Sequence, residues 1–315
     1  MINLRYHIVS LVAVFLALAL GMVVGGTVLN EGTGRAQRAF SDLLRRTSQQ
    51  TQAENSALRA QNGHYQQFGE KVLPQLARDK LKGRSVVLVD TDRGDDTTIR
   101  DITDALQAAG ASVAGRLTFS TDRLSLATPA DRDRLAQLLG VASSDADTLR
   151  TAMVEQFTAR LTLPSRLPKD NRERDMITGL SDAKFFADTD LPRRVTDGAE
   201  VFPKAGSLFV IIGPTDDSPA LPPKSFLVPL ADRLSARSAM PVAGVESQNA
   251  VSSWVAVLRG DKDITQRVST VDDVDAAYGQ VALVDALAAQ LANQPAGQYG
   301  FKQGATSLLP ERVPA

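Results

Sequence analysis

The chain has no cysteine among its 315 residues. This excludes disulfides and thiolate metal sites. It leaves the compartment open, because a cysteine-free chain tolerates oxidising and reducing surroundings alike. Histidine is limited to His7 and His64, and methionine to Met1, Met22, Met153, Met176 and Met240. Sulfur and imidazole donors for a soft metal ion are therefore scarce. Since no histidine follows His64, a Ser-His-Asp or Cys-His catalytic set cannot assemble in the rest of the chain. Aromatic residues make up 5% and the net charge is -1. Neither a stacking platform nor a basic face for nucleic acid is expected. The sequence contains no G-x-G-x-x-G and no Walker A loop, so no nucleotide cofactor is expected. What remains is 43% hydrophobic and 23% charged, enough for a sizeable core and about two folded units.

The first positive feature is the run IVSLVAVFLALALGMVVGGTVL from Ile8 to Leu29, which carries no charge. As a helix it spans about 33 Å, against a hydrocarbon core of about 30 Å. It is longer than the apolar region of a cleaved signal peptide, although the small residues at Gly25-Gly26 leave cleavage open. Ala13, Ala17, Gly21 and Gly25 recur every four residues and form a small-residue face that lets another helix approach closely. The flanking charges do not decide topology. Arg5 precedes the run, while Arg35, Arg38, Arg45 and Arg46 follow it, mixed with Glu31 and Asp42.

From Ala36 to about Leu81 the pattern is helical. Phe40, Leu44, Thr47, Thr51, Glu54, Leu58, Gln61, Tyr65, Phe68 and Val72 keep a 4–3 spacing, the seam of a coiled coil. The apolar seam positions Phe40, Leu44, Leu58, Tyr65 and Phe68 predict a self-associating stalk and a homodimer. Asn62-Gly63 is a candidate interruption, with His64 a solvated neighbour.

After Lys82-Gly83 the pattern changes. SVVLVD (Ser85–Asp90) and LFVII (Leu208–Ile212) read as strands buried on both faces. Further strands are expected over Ala111–Phe119 and Pro241–Val245. Helices are expected over Asp95–Ala109, Ala130–Leu139, Asp145–Leu161, Phe226–Ser235 and Gln280–Gln290. Strands alternating with helices imply a mainly parallel sheet covered on both faces, an α/β sandwich. The expected organisation is an anchor over 1–30, a stalk over 31–82 and an α/β head over 83–315, with a looser insertion around 163–206.

Three places in the head merit chemical scrutiny. Asp90-Thr91-Asp92 follows a first buried strand, as in phosphatases of the haloacid-dehalogenase type, and Thr215 with Asp216-Asp217 follows a later one. No suitably placed lysine completes such a site. A solvated loop with Asp95 or Asp96 capping the next helix fits the residues better. Asp272, Asp273 and Asp275 supply oxygen ligands of the kind a hard divalent ion takes, without an EF-hand spacing, and a polar loop before Gln280–Gln290 is the simpler reading. Gly297-Gln298-Tyr299-Gly300 reads as a tight turn. No catalytic, cofactor or metal residue is assigned, and an enzyme is not expected.

Two stretches carry a family likeness: MINLRYHIVSLVAVFLALALGMVVG (Met1–Gly25), and STVDDVDAAYGQVALVDALAAQL (Ser269–Leu291) followed by GQYG (Gly297–Gly300). With the order anchor, stalk and α/β head, the chain resembles the actinobacterial copper transport protein B (MctB) family. The resemblance implies an envelope protein with a role in copper efflux and copper homeostasis, described as pore-forming in the outer membrane, with the head outside the cytoplasm. Similar corynebacterial proteins (SteB) imply an alternative: a non-enzymatic coiled-coil scaffold that works with a membrane partner, SteA, to regulate a septal cell-wall hydrolase during cell separation. The residues favour neither direct copper coordination nor a barrel, which needs about ten-residue strands of alternating polarity.

Overall fold

The computed structural model describes residues 4–166, 175–189, 201–216 and 221–311, with the backbone alone at 4–7, 26–39, 166 and 188–189. It divides into two compact units, Met1–Tyr65 and Gln66–Ala315.

The first unit lies within helix α1 (Leu4–Ala77). Its segment Ile8–Gly25 is long and apolar enough to cross a membrane. The large side chains there, such as Val14, Phe15, Leu16 and Leu20, are all exposed. Hydrocarbon accommodates such a surface and water does not. Asn62 and Gly63 lie inside α1 and do not interrupt it. A single glycine costs a helix only about 1 kcal/mol relative to alanine.

The second unit takes in the end of α1, where Leu73 and Ala77 are buried. There follow β1 (Ser85–Thr91), α2 (Asp96–Ala108), β2 (Ser112–Phe119), α3 (Thr121–Leu124), α4 (Pro129–Leu139) and α5 (Ala146–Thr162). Next come β3 (Ser165–Arg166), α6 (Met176–Asp182), β4 (Phe186–Thr189), β5 (Val201–Phe202), β6 (Leu208–Ile212) and α7 (Leu227–Arg237). The chain continues through β7 (Val242–Val245), α8 (Trp254–Arg259), α9 (Lys262–Thr265), β8 (Val268–Val271), α10 (Ala277–Leu291) and β9 (Gln298–Tyr299).

Seven strands form one sheet in the order β4-β2-β1-β6-β7-β8-β9. β4 is antiparallel to β2, and the other neighbours pair in parallel. The sheet is therefore mixed, with a parallel body. Alternation along β1 divides the core. Val87 and Val89 join one apolar cluster with α5 and α7 residues such as Phe157, Leu230 and Leu234. Val86 and Leu88 join another with Ile102 and Leu106 of α2 and Leu283 and Leu287 of α10. This period of two is what a strand buried on both faces requires.

Local chemistry sets the element ends. Asp95 caps α2, its Oδ2 accepting from the Thr98 amide at 2.7 Å, and that bond holds its carboxyl below the ordinary range. Gly110 then turns the chain with φ +82°, a conformation that favours glycine.

Within 163–206, the described residues Ile177, Leu180, Phe185, Phe186 and Phe202 are buried in the α5–α7 cluster, while Leu163 and Val201 are exposed. One expectation needs correction. Gly297–Gly300 is not simply a tight turn: Gln298 and Tyr299 form β9, paired with Thr270 and Val271.

Candidate functional site

In a parallel α/β sheet, ligands bind beyond the carboxyl ends of the strands, at the point where strand order reverses. Here that point lies between β1 and β6. The two strand-end loops are tied across it: the Thr215 amide and hydroxyl both donate to the Arg93 carbonyl, at 3.0 and 3.2 Å. The Arg93 guanidinium lies 3.5 Å from Asp122 and from Asp216 and 4.0 Å from Asp92. A cavity of about 20 Å³ remains, lined by Thr91, Thr121, Pro214 and Leu227 among others. This is room for about one water molecule.

The Asp-x-Asp pair does not converge on that crevice. Asp90 is fully buried and its Oδ2 accepts from Arg116 Nη2 at 2.7 Å and Nε at 3.1 Å. Burial raises its carboxyl above the usual range despite the guanidinium. Asp92 is used structurally, its Oδ1 accepting from the Thr121 amide at 3.0 Å. Asp217 lies outside the described residues. The carboxylates that a phosphatase would aim at one phosphorus serve two separate packing roles.

Beyond β6 and β7 the edge is filled by Trp254, which is fully buried and donates from Nε1 to the Val245 carbonyl at 3.0 Å. Gly213 and Gly244 make room for the indole, which a Cβ at either position would overlap.

The ends of β7, β8 and β9 hold a network of charged groups. Glu246, directly after β7, is fully buried. It accepts from Lys302 Nζ at 3.0 Å, from the Ser253 hydroxyl and from the Val255 amide at 3.2 Å. Arg259, at the end of α8, is buried against Asp272, with Nη1 to Oδ2 at 2.6 Å. The same guanidinium donates to the Thr270 hydroxyl at 2.7 Å and to the Tyr299 carbonyl at 2.6 Å. Asp272 also accepts from the Phe301 and Lys302 amides, each at 2.9 Å. Gly300, with φ +122°, has no side chain to obstruct that carboxylate. A buried ion pair is tolerable only when its remaining donors and acceptors are matched in this way.

The three acids in Asp272–Asp275 therefore have different surroundings. Asp272 is the counter-ion of Arg259. Asp275 accepts from the Gln248 amide at 2.8 Å and from the Asn249 side-chain amide at 3.5 Å. Asp273 is fully buried and neither of its carboxylate oxygens has a hydrogen-bond partner. Burial first, then the negative charges of Asp272 and Asp275, push its carboxyl up to about 7. The expected polar loop is thus half interior. Among the described residues no group of three Asp, Glu, His or Cys side chains is arranged to hold a metal ion.

Sequence reasoning singled out the aspartates but missed Glu246, Arg259 and Lys302. The available signal was a charge directly after an apolar strand (PVAGVE) and a lone arginine ending an apolar helix (WVAVLR). The small-residue positions Ala13, Ala17 and Gly21 are exposed on α1, as are Phe40, Leu44, Leu58, Tyr65 and Phe68.

The chain matches, over residues 1–310, a family model described as copper transport outer membrane protein, MctB. It is 28% identical over 98% of its length, and 99% of theirs, to proteins called copper transporter MctB from Mycobacterium bovis and Mycobacterium tuberculosis. To the protein of that name from Mycobacterium leprae it is 27% identical, with the same coverage. The match extends through the anchor helix and the Asp272–Gly300 network alike, and the chain belongs to the MctB family.

Proposed function

We propose that this protein acts in copper efflux and copper homeostasis as a single-pass envelope protein, its head outside the cytoplasm. The observation that carries this reading is the family match across nearly the whole chain, with relatives named for copper transport over 99% of their own length. Copper here is cargo. The head supplies neither sulfur nor imidazole clusters, so its contribution is to assemble or regulate a transport path rather than to coordinate the ion. A clean deletion strain should accumulate copper and become copper-sensitive, and the full chain should restore both. Normal copper content and tolerance in that strain would overturn the reading.

A second reading is favoured by a specific observation: the carboxyl edge of the sheet is filled with the protein's own side chains, and the stalk seam is bare. Phe40, Leu44, Leu58, Tyr65 and Phe68 are 54–66% exposed. These features suit a non-enzymatic scaffold that self-associates through the Ala13-Ala17-Gly21-Gly25 face and the stalk, and that works with a membrane partner to restrain a cell-wall hydrolase. Its signature is a cell-separation defect in the deletion strain at normal copper tolerance.

A further inference from the structure

Asp273 stands apart from the other described acids of the head, since both of its carboxylate oxygens are buried without a partner. Its carboxyl is packed under the first turn of α10, where a Cβ on Gly279 would overlap both its carbonyl oxygen and its Oδ1. The Gly279 side of the carboxyl is closed by this fit, and both carboxylate oxygens are buried without a hydrogen-bond partner. Five charged or titratable groups face it. Asp272 and Asp275 oppose ionisation, Arg259 and Lys302 favour it weakly, and Tyr278 is itself held up by burial first and then by these aspartates. The two cations are already committed, Arg259 to Asp272 and Lys302 to Glu246. No donor remains for Asp273.

Asp272 anchors one end of the segment through Arg259 and the Phe301 and Lys302 amides, and fewer bonds hold the residues after it. The Ala276 amide donates to the Asp273 carbonyl at 3.0 Å, and the Val274 amide to the Glu246 carbonyl at 3.3 Å. Gln280 Nε2 donates to the Val274 carbonyl at 3.1 Å. Asp275 holds the outside through Gln248. The N-cap of α10, Ala276, offers no side-chain cap, so the first turn is held by packing, Ala277 against Gly69 of α1 and Gly279 against the Asp273 backbone.

We propose that residues 272–276 and the first turn of α10 form a proton-operated latch, closed while the Asp273 carboxyl is neutral and opened to water when it ionises. A buried carboxylate without donors is far costlier than a buried neutral acid. Opening the turn lets water and the free amides of the α10 N-terminus solvate the charge. The placement of Asp273's titration near 7 puts the transition near neutral pH. What the latch exposes is the Val274 side chain, fully buried when closed, next to the exposed Tyr278–Phe301 pair, whose rings meet edge to face at 5.9 Å.

The test is hydrogen exchange on the full chain in detergent micelles, read by mass spectrometry over 272–281 and corrected for the intrinsic pH dependence of exchange. Protection there should fall at least tenfold between pH 5.5 and 8.5, while β1 and β6 stay protected. Asp273→Asn, which mimics the neutral acid, should keep the segment protected at both pH values. Asp275→Asn should still open. A wild-type segment whose protection does not change with pH overturns the latch whether or not the variants fold. So does an Asp273→Asn chain that opens like wild type. Recovery of protection at pH 8.5 on adding millimolar magnesium or calcium also overturns it, since that would identify a cation site instead.

Discussion

Arg259 and Asp272 lie inside the protein, each side chain 1% exposed, and their energetics follow from that. Removing one partner strands the other charge in the interior. Arg259→Met should therefore cost about 3–5 kcal/mol in urea unfolding. Arg259→Met with Asp272→Asn should cost less than the sum of the single changes, because no unpaired charge remains. Additive losses would mean the pair is not coupled. Asp273 works in the opposite sense. Its native titration near 7 lies above the unfolded value of 3.8. The native state binds the extra proton between those values, so stability falls as pH rises from about 4 to 7 and levels off above. The full cost approaches about 4 kcal/mol at about 1.4 kcal/mol per pH unit, and opening of the latch caps it below that. The aspartates were legible in the sequence as a cluster of acids. Their division into counter-ion, loop fastener and orphan was not. It depends on Arg259 and Lys302, which reach the site from distant parts of the chain.

At the scale of elements, strong periodicity makes an element legible in the sequence and weak periodicity does not. β1 and β6 declare themselves as unbroken apolar runs, and α2 by Ile99, Ile102 and Leu106 with an Asp cap and a Gly stop. β8 (VSTV) and β9 (QY) carry too few apolar residues to stand out. They are strands because Val242–Val245 offers β8 a paired edge and β8 then offers one to β9. The stalk part of α1 poses the converse problem. Its 4–3 spacing is legible in the sequence, yet one chain alone leaves Leu44, Leu58 and Phe68 exposed. Converting these three to serine should abolish self-association of the full chain in micelles, since each buried leucine in such a seam is worth about 1.5–3 kcal/mol. Analytical ultracentrifugation decides the matter, and unchanged dimerisation of the triple variant would sink the stalk assignment.

For the whole molecule, the sequence puts its change of character at Lys82-Gly83, whereas the compact unit begins at Gln66. The difference is physical. A heptad-like helix reads as stalk up to its last turn, but Leu73, Ala77 and Leu81 belong to the cluster that packs α2 and α10 against the sheet. Lys80 pairs with Asp285 of α10, and the Leu81 amide donates to the Ala109 carbonyl at 2.9 Å. The last turns of α1 thus close one face of the core. A fragment 66–315 should fold cooperatively by itself. A fragment 83–315 should lose about 4 kcal/mol or more, at about 2 kcal/mol for each buried leucine together with the lost ion pair. Domains of this kind hold only about 5–15 kcal/mol in total, so the shorter fragment should sit near the margin, with a much lower urea midpoint and open amides on α10. Equal midpoints for the two fragments would mean that the helix end only rests on the head. A large difference would mean that residues 66–82 are an integral part of the core that α10 completes, the helix whose first turn covers Asp273.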